Sequence, residues 1–202
     1  MLMIIIVNNS KLDEFNIECT NKIIKIISDL IGNENVIVNI DNEMNDFIFR
    51  NKNQIKGVIL SGSELRINNK IKTDIIFDNI IPFLIKDIPV LGICFGHQLL
   101  CKLYQGKVNS LKKKNKGEKY VKLTKDPIFD KIPNNSLMYF DHYDYVSEIP
   151  QNFKIIGTTI YNRIAAIKHQ SKLIYGIQFH PENSNPTALK IYENFIHLCY
   201  QT

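Results

Sequence analysis

Residues 89–100 read PVLGICFGHQLL and place a cysteine between an apolar run and a segment with helical spacing. Glycine lies two positions away from Cys94 on each side, which is the Gly-x-nucleophile-x-Gly pattern of a tight turn between a strand and a helix. A side chain at Gly92 or Gly96 is expected to collide with the neighbouring strand or helix. The pattern therefore predicts a thiol at a helix N-terminus, where the helix dipole favours the thiolate.

The segments before this turn alternate short apolar runs with helical periodicity, which is typical of a parallel sheet covered on both faces. The pattern predicts strands at 3–7, 35–40, 57–60 and 90–93, and helices at 13–30, 42–51, 72–86, 96–104 and 187–199. Shorter β-like segments are predicted at 107–110, 119–123, 136–140, 153–158, 163–169 and 173–179. We expect a single α/β domain over residues 1–202, a mostly parallel sheet with flanking helices and partly antiparallel strands in its second half.

The composition excludes several classes of function. The chain has 45% hydrophobic residues and a net charge of +5, so neither a nucleic-acid nor a membrane partner is expected. No run approaches the ~18 apolar residues of a membrane helix, no signal peptide is recognisable, and the cytosol is the expected location. The four cysteines form no CxxC pair, so we expect no metal and no cofactor, with Cys19 and Cys101 in the core.

A thiol nucleophile needs a base, and the base needs an orienting group. The segment YGIQFHPEN, residues 175–183, is an apolar strand that ends in His180 and Glu182. Pro181 prevents helix formation there, so both side chains are expected at the carboxyl end of a strand, beside Cys94. Two residues apart in extended chain, Glu182 can accept from one ring nitrogen while the other nitrogen contacts the sulfur.

Three motifs together resemble the class I glutamine amidotransferases: Ser61-Gly62, GICFGHQLL at 92–100 and QFHPE at 178–182. The resemblance covers the whole chain and implies a flavodoxin-like core. It also implies hydrolysis of the glutamine side-chain amide through a γ-glutamyl thioester, with the ammonia passed to a synthase. Cys94 corresponds to the nucleophile, His180 to the base and later acid, and Glu182 to the group that orients the histidine.

The resemblance also implies the groups that bind the substrate. The N–H of Phe95 and an N–H of the 61–64 loop correspond to the oxyanion donors, and Gln98 and Gly62 to substrate-binding residues. That loop reads SGSE where the family has Ser-Gly-Gly-Pro, so Ser63 carries the second oxyanion N–H in place of glycine. If this backbone needs a positive φ, serine costs about 1–2 kcal/mol there.

The segment FDHYDYV, residues 140–146, resembles the Ser-His-x-Asp-x-Val motif of the amidotransferase subunits of GMP synthetase, with aspartate in place of the serine. By that resemblance the amino-acid end of glutamine is held by backbone groups of Asp141, Tyr143 and Asp144. Only about twenty residues follow Glu182, so ammonia is expected to go to a separate polypeptide, most readily the ATP pyrophosphatase subunit of GMP synthetase.

Several alternatives stay open at this point. The chain could serve a chorismate-using synthase, although the Arg-Tyr-His-Ser motif of those proteins is absent. It could hydrolyse γ-glutamyl compounds without a partner, or bind glutamine or a partner as a pseudoenzyme, since Ser63 and Glu64 depart from the family pattern. The lysine-rich stretch KKKNKGEK, residues 112–119, is expected to be a solvated loop, with docking on an acidic synthetase face as the other interpretation.

Overall fold

The structure is a computed structural model that describes residues 3–9, 14–39, 50–51, 53–67, 84, 87–159 and 164–201. Within these ranges nine strands form one mixed sheet in the order β2-β1-β3-β4-β9-β8-β7-β5-β6. The strands are β1 Met3–Val7, β2 Val36–Asn39, β3 Ile55–Leu60, β4 Val90–Ile93, β5 Lys107–Leu123, β6 Asn135–Glu148, β7 Phe153–Thr158, β8 Ala166–His169 and β9 Ile174–Ile177. Three helices accompany them in the described ranges: α1 Glu14–Ile31, α2 Phe95–Leu103 and α3 Lys190–Tyr200.

The first half of the sheet is parallel, as the sequence predicts. Strand β1 pairs in parallel with β2 and β3, β3 with β4, and β4 with β9. The remaining pairs are antiparallel: β9 with β8, β8 with β7, β7 with β5, and β5 with β6. The carboxyl ends of β4 and β9 therefore lie side by side, which places the residues after Ile93 and Ile177 at the same edge of the sheet.

Alternation along the strands divides the core between the two faces of the sheet. Ile4 and Ile6 belong to one buried cluster, which includes residues of α1 and α3, whereas Ile5 belongs to the other, which includes residues of α2. Because successive strand side chains point to opposite faces, an all-apolar strand such as β1 is buried on both sides. The predicted parallel sheet covered on both faces is confirmed.

The stretch at 112–119 is wrongly predicted as a loop. Strand β5 runs without interruption for 17 residues and pairs with β6 over 107–110 and 115–122, with a register irregularity between Ser110 and Asn115. The lysines do not alternate with apolar residues, so the sequence carries no strand period there. The segments on both sides of residues 111–114 pair with β6, and this pairing favours a continuous strand, since β propensity depends strongly on the neighbouring strand.

The strand predicted at 136–140 extends to Glu148, and most other boundaries differ by a few residues. The last helix begins at Lys190 rather than at 187, because Pro186–Leu189 forms a 3-10 turn in which the Asn185 side chain accepts a bond from the N–H of Ala188. The helices predicted at 42–51 and 72–86 lie almost entirely outside the described residues. Among the helices of the described ranges, none has a stretch long and apolar enough to cross a membrane.

Candidate active site

Cys94 occupies the turn between β4 and α2 in a conformation that is rare for a residue with a side chain. Its φ is 50° and its ψ is −100°, a geometry that costs about 1–3 kcal/mol and is concentrated at functional sites. The flanking glycines allow the turn. A Cβ atom on Gly92 would lie 2.6 Å from the Gly96 carbonyl, and one on Gly96 would lie 2.4 Å from the Leu60 carbonyl oxygen. The predicted collisions are both present.

His180 and Glu182 form a buried pair at the end of β9. The His180 Nδ1 and a Glu182 carboxylate oxygen are 2.7 Å apart, and the second carboxylate oxygen accepts a bond from the Tyr192 hydroxyl at 2.7 Å. Burial opposes the charged imidazole, but the Glu182 carboxylate and the negative charge of the Cys94 thiolate raise the pKa of His180 well above its ordinary value. Burial and the same carboxylate raise the pKa of Tyr192.

The Cys94 sulfur is enclosed by polar groups of the neighbouring strands. The Gln178 amide donates to it at 3.6 Å, and the thiol donates to the Asp141 carbonyl at 3.7 Å. Sequence reasoning gave Gln178 no role, although it lies two residues before His180. That spacing in extended chain was the available signal, since residues i and i+2 share a face.

Cys19 is a second residue whose position the sequence does not reveal. It is buried in α1, as expected. Its sulfur, a ring nitrogen of His180 and a carboxylate oxygen of Glu182 all lie within 4.8 Å of one another. The Asn183 amide donates to this sulfur at 2.9 Å. Because both Glu182 oxygens already accept hydrogen bonds, we interpret the cluster as packing behind the histidine, and no metal is assigned to it.

The SGSE loop is held by hydrogen bonds to the end of β1. The Ser63 hydroxyl donates to the Asn9 carbonyl at 2.8 Å and accepts from the Leu65 N–H at 3.1 Å. The Asn9 side chain donates to the Ser61 carbonyl at 2.9 Å. Ser63 is not among the residues with positive φ, so the steric cost considered for serine at this position does not arise.

A cavity of about 110 Å³ opens beside Cys94 and contains most of the candidate substrate-binding residues. Its lining includes Ser63, Cys94, Gln98, Asp141, Tyr143 and Asp144. The Gln98 amide donates to the Asp144 carbonyl at 2.6 Å, and this bond holds the Gln98 side chain against β6. Of the other candidates, Gly62 directly precedes Ser63 in the chain, and Phe95 directly follows Cys94.

Comparison with known proteins agrees with this geometry. The sequence matches the family model for glutamine amidotransferase class-I over residues 15–199. The chain belongs to the class-I glutamine amidotransferases. It is 33% identical over 202 residues to one of the proteins named as a subunit of glutamine-hydrolyzing GMP synthase, from Methanosphaera stadtmanae, covering 98% of each chain.

Two further comparisons concern a longer protein and a solved structure. The chain is 49% identical over 96 residues to the GMP synthase of Clostridium novyi, which is 47% of this chain and 19% of that protein. It thus spans about a fifth of that relative's length. The crystal structure of a candidate GMP synthase subunit from Thermoplasma acidophilum has the same fold, with a TM-score of 0.83 at 22% identity over 100% of this chain and 95% of that one.

The side chain of Asp144 holds the segment that follows SGSE. One carboxylate oxygen accepts from the Arg66 guanidinium at 2.8 and 2.9 Å and from the Ser110 hydroxyl at 2.6 Å. The other accepts from the Ile67 N–H at 3.1 Å. The side chain of Asp144 is therefore occupied by contacts within the protein.

The Asp141 carboxylate is buried but neutralised by the lysine-rich strand. Lys114 and Lys116 of β5 both form ion pairs with it, the latter at 3.3 Å. The Arg66 guanidinium lies 4.8 Å from the centroid of the Tyr143 ring, within range of a cation–π interaction. Two cationic residues, Arg66 and Lys114, thus line the cavity.

Two other buried histidines are kept neutral. Burial lowers the pKa of His97 to about 3 and that of His142 to about 4, and the charge of His180 contributes to the second shift. The His142 Nδ1 lies 2.9 Å from the Asp144 carbonyl, and its Nε2 lies 2.9 Å from the Asn115 amide. A carbonyl only accepts, so Nδ1 carries the proton and Nε2 accepts from Asn115.

Proposed function

We propose that this chain hydrolyses glutamine and supplies the ammonia to a separate synthase subunit that converts XMP to GMP. The main support for this proposal is the strained Cys94 turn beside the buried His180–Glu182 pair. These three residues provide the groups that the reaction needs: a cysteine nucleophile, its base and an orienting carboxylate. The GMP assignment rests on the relatives that are named as GMP synthase subunits and that match almost the whole chain.

The first step is attack of the Cys94 thiolate on the side-chain carbonyl carbon of glutamine. The carbon–sulfur bond forms, and the carbonyl oxygen becomes an oxyanion. We assign the stabilising donors to the N–H of Phe95, in the first turn of α2, and the N–H of Ser63. One such donor typically lowers the activation barrier by ~3 kcal/mol. The hydrogen bond between the Ser63 hydroxyl and the Asn9 carbonyl keeps Ser63 in place.

Collapse of this intermediate breaks the carbon–nitrogen bond. Cationic His180 donates its proton to the departing nitrogen, which leaves as ammonia, and a γ-glutamyl thioester remains on Cys94. Neutral His180 then accepts a proton from water, which attacks the thioester and releases glutamate and the thiol. The Glu182 carboxylate favours the imidazolium in both halves of the reaction, as the raised pKa of His180 indicates.

Substrate recognition is assigned to the cavity. Gln98 and Gly62 are proposed to hold the side-chain end of glutamine near Cys94. Backbone groups of Asp141, Tyr143 and Asp144 are proposed to hold its amino and carboxylate groups, because the side chains of both aspartates are occupied by Lys114, Lys116 and Arg66.

The test is a glutaminase assay of the isolated chain, and of the chain mixed with ATP, XMP and an ATP pyrophosphatase subunit. We expect hydrolysis to be stimulated by the complete mixture and GMP to form. Cys94→Ala is the blank, because it removes the nucleophile and adds no bulk to the turn. Formation of a γ-glutamyl adduct, seen by mass spectrometry, should depend on Cys94.

Three results would redirect the proposal. Stimulation by a chorismate-using synthase instead of the XMP mixture would reassign the partner. Hydrolysis of γ-glutamyl peptides but not of glutamine would reassign the substrate. No turnover in any mixture, together with no labelling of Cys94 by a glutamine-like electrophile, would show that the chain binds without reacting.

A further inference from the structure

The lysine-rich strand lies at the border of the active-site cavity. Three side-chain contacts attach this part of β5 to the cavity wall on β6: Ser110 to Asp144, Asn115 to His142, and Lys114 to Asp141. Lys114 itself lines the cavity. Residues 110–116 therefore form a rim beside the site that contains Cys94, and we call residues 112–119 of this strand the basic rim.

The basic rim carries an excess of positive charge. The acidic neighbours of its five lysines are Glu118, within the stretch, and Asp141, on the adjacent strand β6. Lys114 and Lys116 are engaged by Asp141, whereas Lys112 and Lys113 are exposed and form no ion pair with the described residues. A cluster of unbalanced charge at an exposed edge attracts a partner of opposite sign and accelerates its association.

An exposed aromatic side chain continues the same strand. Tyr120 directly follows the rim and is 61% exposed. Tyrosine is enriched among the residues that contribute most binding energy in protein interfaces. The strand therefore offers lysines that attract an acidic surface, and next to them an aromatic ring that can be buried by it.

We infer that the basic rim is the docking surface for the ammonia-accepting protein, and that this protein presents an acidic surface to it. The inference rests on the proposed function. Ammonia that escapes into neutral water is protonated and lost as a nucleophile, so the acceptor must approach the edge of the sheet at which Cys94 lies. The basic rim lies at that edge, and Lys112 and Lys113 carry the charge that selects an acidic protein surface.

The test uses a charge reversal that leaves the catalytic machinery intact. Lys112→Glu combined with Lys113→Glu changes two exposed residues that do not contact Asp141. We expect basal glutamine hydrolysis to stay within about twofold of the wild type. The Kd for the purified ATP pyrophosphatase subunit should rise about tenfold or more at about 0.1 M salt, and the difference should shrink at high salt.

A matched control separates a local surface from overall charge. Lys25→Glu combined with Lys125→Glu makes the same change of charge at exposed residues outside the rim. We expect this variant to bind the partner like the wild type. An equal loss in both double variants would overturn the inference, as would no loss in the rim variant. Tyr120→Ala should weaken binding without changing its salt dependence.

The outcomes also distinguish other ligands of the rim. A higher KM for XMP with an unchanged Kd for the pyrophosphatase would show that the lysines contact the nucleotide, which overturns the inference. Binding that disappears after nuclease treatment would show a nucleic acid instead. If wild-type chain neither binds the pyrophosphatase nor is stimulated by it, the proposed function fails and this inference falls with it, whereas failure of the rim variant alone leaves the proposed function standing.

Discussion

At the scale of single residues, Ser63 shows how a departure from a family pattern can be accommodated. Its hydroxyl bridges the Asn9 carbonyl and the Leu65 N–H, so the side chain fixes the loop whose N–H we assign to the oxyanion. We predict that Ser63→Ala lowers kcat about threefold to tenfold, the cost of a hydrogen bond of ~1 kcal/mol, with little change in KM. Steady-state kinetics with glutamine measure both constants.

Ser63→Gly tests the same argument from the opposite direction. It restores the family residue but removes both hydrogen bonds and increases the freedom of the unfolded and the free loop. We therefore expect it to be no more active than Ser63→Ala. Activity above the wild type would contradict the argument and would show that the serine impairs the oxyanion site.

The histidines permit a prediction about pH. Because the pKa of His180 is raised, its ring should remain cationic near neutral pH, whereas His97 and His142, with pKa values of about 3 and 4, should remain neutral down to those values. Nitrogen–proton correlation spectra of labelled imidazoles distinguish the forms. Glu182→Gln should lower the pKa of His180 and leave that of His97 unchanged, and a His180 ring that is neutral at pH 7 in the wild type would contradict the pairing.

The same shifts have a consequence for stability. An unfolded histidine takes up a proton near pH 6.5, whereas His97 and His142 stay neutral in the folded chain until much lower pH. The unfolded state then binds more protons, so these two residues reduce the free energy of unfolding as pH falls below about 6.5. For His180 the sign is opposite: its contribution is present below that pH and is lost as pH rises through the raised pKa.

At the scale of elements, the turn between β4 and α2 depends on contacts too close for a methyl group. We predict that Gly96→Ala lowers the free energy of unfolding by about 1–3 kcal/mol, because its Cβ would meet backbone of β3 at 2.4 Å and one element must move. Denaturant unfolding measures the change. Lys25→Ala on the exposed face of α1 is the control and should stay within about 0.5 kcal/mol of the wild type. An unchanged Gly96→Ala would mean that the turn is not tightly packed.

This turn was predictable from sequence, whereas only the ends of β5 and the first part of β6 were. Glycines at fixed offsets from a cysteine encode a local geometry, and the pentapeptide contains all of it. The lysines of β5 carry no period, and they lie in or between the two segments of β5 that pair with β6. Cys19 shows the same limit at the site. Its contact with Asn183 joins residues 164 positions apart, and no local pattern in α1 indicates it.

At the scale of the whole molecule, Asp144 joins the two halves of the chain. Its side chain on β6 binds Arg66 and Ile67, which follow the SGSE loop, and Ser110 on β5. The loop is therefore held between β1, through Asn9, and the β5–β6 ribbon, through Asp144. Neither attachment alone fixes both ends of the loop, so the geometry opposite Cys94 depends on residues from both halves of the fold.

Asp144→Asn tests this connection. The substitution keeps the size of the side chain but removes its charge and one acceptor. We therefore predict faster amide hydrogen exchange at residues 64–67. We also predict that kcat/KM falls about tenfold, which corresponds to the weakening of a charged hydrogen bond. Glu193→Gln, which removes the charge from a half-exposed ion pair with Lys190, is the matched control and should change neither quantity. If exchange at 64–67 stays at the wild-type rate while kcat/KM falls, Asp144 acts on the substrate directly, and the loop is held by Asn9 alone.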